Sequence, residues 1–309
     1  MLVWLPFTSL AEAETRLGPL PAGLEADVAC RETGLPANGV ERVEFFAVHN
    51  FEVDVAYQLL ALEPPRLRWF QLASAGYEYI IDDVPERIGL LNASGVHDTG
   101  TGELAVALAL YHLNGLHRYE RDRVTRRVAP AYGQTLADRR VLIVGHGHIG
   151  RAVEARLAGF EVASVTRVAL HARTDPTVHA VADLPWLLPD ADVVFLTLPA
   201  TPATFHLLDD AALSLLPDGA LVVNVGRGTA IDTDALVGQL GRIEAALDVT
   251  DPEPLPTGHP LWDSPFVTWT PHVGGWSGAF HRRYDRLLRE QLRRLAAGDV
   301  PTNVVRYPA

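Results

Sequence analysis

The sequence predicts an α/β protein built from two doubly wound units, and three observations carry that expectation. Short apolar runs recur along the chain with helical or turn-rich sequence between them, as in a parallel sheet. The alternation is interrupted by one long apolar helix and a linker, then restarts with cleaner strands. At the restart, VLIVGHGHIGRAV (141–153) runs from an apolar strand into a glycine-rich turn. Two such sheets within 309 residues imply two domains with a cleft between them.

Taken in order, the first strands are LVWLPF, RVEFFAV, LRWFQLAS and IGLLNAS. The apolar helix follows from about Thr101 to Tyr119, and APAYGQTLADR links it to Val141. The second series reads VLIVG, VASVTRV, DVVFLTLP, ALVVNVG, AALDV and FVTWTPH. A closing helix carries Phe280, Tyr284, Leu287, Leu288, Leu292 and Leu295 on one stripe, ends at Gly298, and is expected to return to the first domain.

Composition narrows the function classes. Apolar residues at 48% and charged residues at 21% describe a globular chain. A formal net charge of −12 argues against a binder of nucleic acid or of anionic membranes. Arginines do cluster at Arg118, Arg121, Arg123, Arg126 and Arg127, but acidic residues are interleaved, as on a solvated or subunit-facing surface. All 26 basic residues are arginine, which excludes Schiff-base lysine chemistry. Cys30 stands alone, so the chain forms no internal disulfide and no cysteine metal cage. MLVWLPFTSL shows no basic leader and reads as a first strand, and no apolar run reaches the length of a membrane span; a cytoplasmic protein is expected.

The glycine turn carries the first chemical signal. Gly145 permits the tight turn, Gly147 lets backbone approach a pyrophosphate, and Gly150 lets the following helix pack against the strand. The helix amino terminus, with His148 and Ile149, then presents N–H groups to phosphate. A Rossmann site usually places an acid about 20 residues further on, at the end of the second strand. Here that place holds Thr166 and Arg167, and no acid.

Three polar groups follow three later strands, where α/β sheets place their ligands. NVGRGTAID puts Arg227 between two glycines, LDVTDPEPLP puts Glu253 in a proline-rich loop, and WTPHVGGWS puts His272 before Gly274 and Gly275. These types suit hydride chemistry at a carbonyl beside a carboxylate. Arginine pairs with the carboxylate as a fork, histidine exchanges a proton with the carbonyl oxygen, and a glutamate keeps the imidazole charged and oriented.

VLIVGHGHIG, LTLPATPATFHLL, VVNVGRGTAIDTDAL, AALDVTDPEPLPTGHPLW and TPHVGG, in this order, resemble the D-isomer-specific 2-hydroxyacid dehydrogenase family, as do QLASAGYEYI and GELAVALAL earlier in the chain. The resemblance covers nearly the whole chain. It implies a flavodoxin-like substrate domain (1–98 and 282–309), an NAD(P)-binding Rossmann domain (99–281) and a homodimer. It implies catalysis by Arg227, Glu253 and His272, and a substrate carboxylate held by backbone N–H groups around Ala75, Gly76 and Tyr77. The cofactor would be lined by Gly145, Gly147, His148, Ile149, Gly150, Thr166, Arg167, Leu198, Pro199, Thr204, Asn224, Val225, Gly226, Asp248, Gly274 and Gly275.

The absence of a regulatory extension after Pro308 speaks against the phosphoglycerate-specific members. The loop from His49 to Glu52 occupies the place that borders the substrate side chain in such proteins, and it reads equally as an ordinary strand–helix loop. Replacement of the usual acid by Thr166 and Arg167 favours NADP(H) over NAD(H), with Arg173 within reach of the same phosphate if its loop folds back. The expected activity is a nicotinamide-dependent 2-ketoacid reductase acting on glyoxylate, hydroxypyruvate or a similar small acid. The alternative is a dinucleotide-sensing, co-repressor-like protein on the same fold; the intact Arg, Glu and His set favours the enzyme. Formate oxidation on this fold lacks its longer amino-terminal segment. No metal site is expected: His146 and His148 lie in the phosphate turn, and His112 and His117, five apart on one helix, should point different ways.

Overall fold

A strand buried on both faces sends successive apolar residues into opposite layers, and both sheets of this protein obey that rule. The computed structural model describes residues 1–49 and 52–309. They divide into two compact units, Met1–His97 with Gly278–Ala309, and Asp98–Ser277. Asn50 and Phe51, in the loop expected to border a substrate side chain, lie outside the described residues.

The first unit begins with β1 (Leu2–Leu5), α1 (Leu10–Leu17), β2 (Glu25–Val28), β3 (Val43–Ala47), α2 (Val53–Ala61), β4 (Trp69–Gln71) and β5 (Gly89–Leu91). Val3, Leu5, Phe45 and Ala47 enter one core layer, while Trp4, Val43, Phe46 and Phe70 enter the other. Strand β2 escaped the sequence reading because EADV carries no apolar alternation and is half-exposed.

The second unit comprises α3 (Asp98–Leu113), α4 (Leu116–Val124), β6 (Arg140–Val144), α5 (His148–Leu157), β7 (Ser164–Ala169), β8 (Arg173–Thr174), β9 (Thr177–Ala180), α6 (Leu184–Leu187), β10 (Val193–Leu196), α7 (Asp210–Ser214), β11 (Leu221–Asn224), α8 (Thr233–Gln239), β12 (Glu244–Leu247) and β13 (Val267–Trp269). Its sheet runs in the order β13-β12-β11-β10-β6-β7-β9-β8, parallel except for the β8–β9 hairpin. The chain winds outward from β6 to β7 and then crosses back to β10, so the winding reverses beside β6.

The long helix predicted from Thr101 to Tyr119 is two helices. Gly115 adopts φ 70° and ends the first, because a left-handed residue cannot continue a right-handed helix. The break also changes the histidines. His112 lies in the last turn of α3 and His117 in the first turn of α4, and their rings stack at 4.5 Å and 12° instead of pointing apart. His112 joins Thr268 Oγ1 at 2.9 Å and Glu244 Oε2 at 3.0 Å. Burial, then the adjoining His112, pushes His117 down to about 4. Helix α4, which carries several of the clustered arginines, has no fully buried residue, and His117 is only partly covered.

The chain returns to the first unit through α9 (Phe280–Ala297) and β14 (Val304–Arg306), completing a sheet in the order β14-β5-β4-β3-β1-β2 with only β14 antiparallel. Phe280, Tyr284, Leu288, Leu292 and Leu295 are buried as their spacing required, and Gly298 terminates the helix at φ 77°. The Tyr284 hydroxyl donates to the Val48 carbonyl at 2.7 Å, tying α9 to the end of β3.

Candidate active site

Because the strands from β13 to β9 run parallel, their carboxyl ends share one edge of the sheet, and the loops that leave them carry the polar groups singled out in the sequence. Beside β6 the glycine turn is tightly tied. The Gly145 and His146 N–H groups both donate to the Val168 carbonyl at 2.9 Å, and Thr197 Oγ1 donates to the Gly145 carbonyl at 2.6 Å. Gly145 takes φ 105°, and a Cβ on Gly150 would stand 2.3 Å from the Gly145 carbonyl oxygen, so larger residues are excluded there. A Cβ on Gly147 would instead project into open space at the amino terminus of α5. That open cradle, with first-turn N–H groups of His148 and Ile149 that lack intrahelical partners, fits the pyrophosphate of a dinucleotide.

The strand that should read the ribose does not end at Thr166 and Arg167. It runs on to Ala169, with Val168 paired to Val144. Arg167 is directed at α5 instead, where Nε donates to Glu154 Oε1 at 2.8 Å and Nη2 reaches the same oxygen. The other Glu154 oxygen accepts from His146 Nε2 at 2.6 Å. Arg167, with the help of His146, holds the Glu154 carboxyl below the usual carboxylate range. Past the true strand end, Arg173 Nη2 donates to the His146 carbonyl at 2.9 Å, so the loop does fold back onto the glycine turn. The apolar run Val168, Ala169 and Leu170 was the signal that the strand continued.

On the other side of β6, Leu198 and Pro199 follow β10, and Thr204 Oγ1 donates to the Pro199 carbonyl at 2.7 Å. Asn224 is fully buried and shapes the next turn, accepting from the Gly226 N–H at 3.0 Å and donating to the Arg227 carbonyl at 3.0 Å. Val225 donates to the Leu196 carbonyl at 3.1 Å. Arg227 Nη1 donates to the Gly226 carbonyl at 2.9 Å. The following Gly228 allows the closest approach in the site: a Cβ there would lie 1.9 Å from the Thr250 carbonyl oxygen. The Arg227 turn thus rests directly on the backbone that leads into Glu253.

Glu253 Oε1 accepts from His272 Nδ1 at 2.6 Å. This bond raises the His272 pKa above its ordinary value of 6.5, against the opposing effects of burial and of Arg227. His272 sits at φ 53°, an uncommon conformation for a residue with a Cβ, of the kind retained at functional positions. Asp248 holds it there. Expected among the cofactor-lining residues, Asp248 is 1% exposed, and its carboxylate accepts from Thr270 Oγ1 at 2.7 Å, Val273 N–H at 2.8 Å and Gly274 N–H at 2.9 Å. Its carbonyl accepts the His272 N–H at 2.7 Å. Spacing gave no sign of this support, since its bonds reach residues in the loop after β13, more than 20 positions along the chain. Gly275 completes the same loop.

In the first unit, Ala75, Gly76 and Tyr77 are half-buried in the loop after β4. The Tyr77 N–H donates to Glu78 Oε2 at 2.8 Å, the Ala75 carbonyl accepts from Asn92 Nδ2 at 2.8 Å, and the Gly76 carbonyl accepts from Ser74 Oγ at 2.7 Å. Among the described residues no group of three or more His, Cys, Asp or Glu side chains is arranged to hold a metal ion, and no helix is long and apolar enough to cross a membrane.

A doubly wound sheet with a glycine turn suited to phosphate beside its reversal point, and an imidazole–carboxylate pair at the same edge, is the arrangement of a dinucleotide-dependent oxidoreductase. The profile described as "D-isomer specific 2-hydroxyacid dehydrogenase, NAD binding domain" matches residues 106–274. The chain is 30% identical over 261 residues to a glyoxylate reductase of Thermofilum pendens, covering 78% of this chain and 75% of the relative. It is 32% identical over 239 residues to glyoxylate/hydroxypyruvate reductase B of Pectobacterium atrosepticum, covering 72% of each. Among solved structures, a D-isomer specific 2-hydroxyacid dehydrogenase of Xanthobacter autotrophicus Py2, in complex with NADPH and MES, superposes with a TM-score of 0.80 at 27% identity, over 98% of this chain and 97% of that one. The chain belongs to the D-isomer-specific 2-hydroxyacid dehydrogenase family and is an NAD(P)-dependent oxidoreductase.

Proposed function

We propose that this protein is a reductase of small 2-ketoacids such as glyoxylate or hydroxypyruvate, run reversibly as a D-2-hydroxyacid dehydrogenase, with Arg227, Glu253 and His272 as its catalytic set. The observation that carries this reading is the 2.6 Å bond between His272 and Glu253, which keeps a proton on the imidazole at pH values where an ordinary histidine has lost it. The reductase names of the two relatives support the substrate class.

The glycine turn and the amino terminus of α5 would hold the pyrophosphate of a dinucleotide, whose reduced nicotinamide would supply the hydride. Arg227 receives the substrate carboxylate as a fork and leaves the carbonyl beside it polarised. His272 gives its proton to the carbonyl oxygen as the hydride arrives, and Glu253 stabilises the charge that the imidazole carries beforehand. In the oxidative direction the neutral imidazole accepts the hydroxyl proton.

NADP(H) is the favoured cofactor. Arg173, past the end of β7 and bonded to the glycine turn, is the guanidinium suited to a 2′-phosphate, since Arg167 is paired with Glu154. The NADPH bound to the Xanthobacter relative supports the same preference. The functional form is a homodimer, for which the exposed helix α4 and the exposed Val124, Val128 and Tyr132 offer an apolar, arginine-flanked surface. The test is steady-state turnover of about a dozen 2-ketoacids with each reduced cofactor. Turnover of glyoxylate or hydroxypyruvate that disappears in His272→Ala supports the reading; no turnover of any 2-ketoacid by the parent refutes it and returns the dinucleotide-sensing alternative.

A further inference from the structure

Beneath the glycine turn lies a chain of four charged or polar groups that nucleotide binding by itself does not require. Arg173 holds the His146 carbonyl, the His146 ring holds Glu154, and Glu154 holds Arg167. The His146 ring is 3% exposed, and its Nδ1 is buried without a partner among the described residues. Glu154 can only accept, so the ring hydrogen sits on Nε2 and His146 cannot turn to serve another group. One arginine, Arg167, therefore neutralises the carboxylate directly, while Arg173 is linked to it only through His146. The end of β7 carries no acid of its own, but α5 supplies one nearby, Glu154, which Arg167 covers.

We propose that Glu154 is a masked acid that sets the balance between NADPH and NADH, and that Arg167 acts on this balance as a positioning residue, through Glu154, without touching the nucleotide. An uncovered carboxylate two hydrogen bonds from Arg173 opposes a 2′-phosphate and offsets the attraction of that guanidinium. Covered by Arg167, it does neither. The inference rests on dinucleotide binding at the glycine turn and not on the identity of the ketoacid.

The experiment measures Kd for NADPH and NADH by calorimetry on the full-length chain and four variants. Each result is read as the NADPH/NADH affinity ratio within one protein, so a partly unfolded fraction cancels. Arg167→Gln uncovers Glu154, and NADPH preference falls about two- to fivefold, the size expected when a carboxylate acts without direct contact on a phosphate dianion through screened, water-like dielectric. Glu154→Gln alone moves the ratio the opposite way by a similar factor. Arg167→Gln with Glu154→Gln restores the parental ratio, because both members of the neutral pair are gone. Equal loss in the single Arg167 variant and the double variant overturns the proposal and makes Arg167 a direct phosphate ligand. An unchanged ratio in Arg167→Gln also overturns it. Arg173→Ala separates the two readings: if it leaves the ratio unaltered while the other three variants behave as stated, Arg173 is not the phosphate ligand and the masked acid stands.

Discussion

Gly228→Ala tests whether the Arg227 turn and the Glu253 loop work as one piece. The added methyl carbon would stand 1.9 Å from the Thr250 carbonyl oxygen, 2.1 Å from its carbonyl carbon and 2.7 Å from the Asp251 nitrogen. All three are backbone atoms, so no rotamer relieves the overlap. Restoring ordinary contact requires the two loops to part by about 1.5 Å, and overpacking by one methyl group typically costs about 1–3 kcal/mol. In a unit of this size, each kcal/mol lowers the midpoint of thermal unfolding by about 2–4 °C. Because a misplacement of about 1 Å can lower turnover by about a hundredfold, kcat/KM for the ketoacid should fall by that order. Cofactor affinity should fall less than kcat/KM, since only Asn224, Val225 and Gly226 of the expected cofactor residues share this turn and β10 separates β11 from the glycine turn at β6. The assay pairs steady-state kinetics with a calorimetric cofactor Kd and a thermal scan. Turnover within about threefold of the parent would refute the coupling of the two loops, as would a loss of cofactor affinity equal to the loss of kcat/KM.

Glu253→Gln removes the main cause of the raised His272 pKa. Reduction needs the protonated imidazole, so its rate falls as pH rises through that pKa; in the variant this fall should come at lower pH, and the rise of the oxidative rate should move down with it. Arg227→Lys keeps the charge but loses the fork, so selectivity for 2-ketoacids should collapse, by about ten- to a hundredfold in kcat/KM, while cofactor Kd holds. Arg173→Ala should lower the NADPH/NADH ratio of kcat/KM by about tenfold or more, the value of one charge-assisted contact of roughly 1.5–3 kcal/mol; a ratio that stays put removes Arg173 from the phosphate.

Several features were legible in the chain because they depend on neighbours in sequence. A strand, a glycine turn and a helix amino terminus follow one another from Arg140 to Leu157, and the steric demands on Gly145 and Gly150 arise within that stretch. The apolar stripe of α9 and its stop at Gly298 are likewise local periodicity and local chirality. Arg227, Glu253 and His272 could be singled out because each lies just past a buried strand, and parallel strands bring their carboxyl ends to one edge.

Tertiary structure decided where those local features stop and what they meet. Gly115, a left-handed residue inside an apolar run, divided one predicted helix into two and stacked His112 on His117. Strand β7 continued to Ala169 because Val168 pairs with Val144 of β6 and Ala169 with Ala180 of β9, so the chain leaves the sheet two residues beyond Arg167 and Arg173 is the arginine bonded to the glycine turn. The partners of Asp248 and Glu154 come from separate strands and turns, at distances along the chain that no periodicity encodes. A buried carboxylate accepts its hydrogen bonds from whichever donors the packing delivers, and that choice is made only when the layers close.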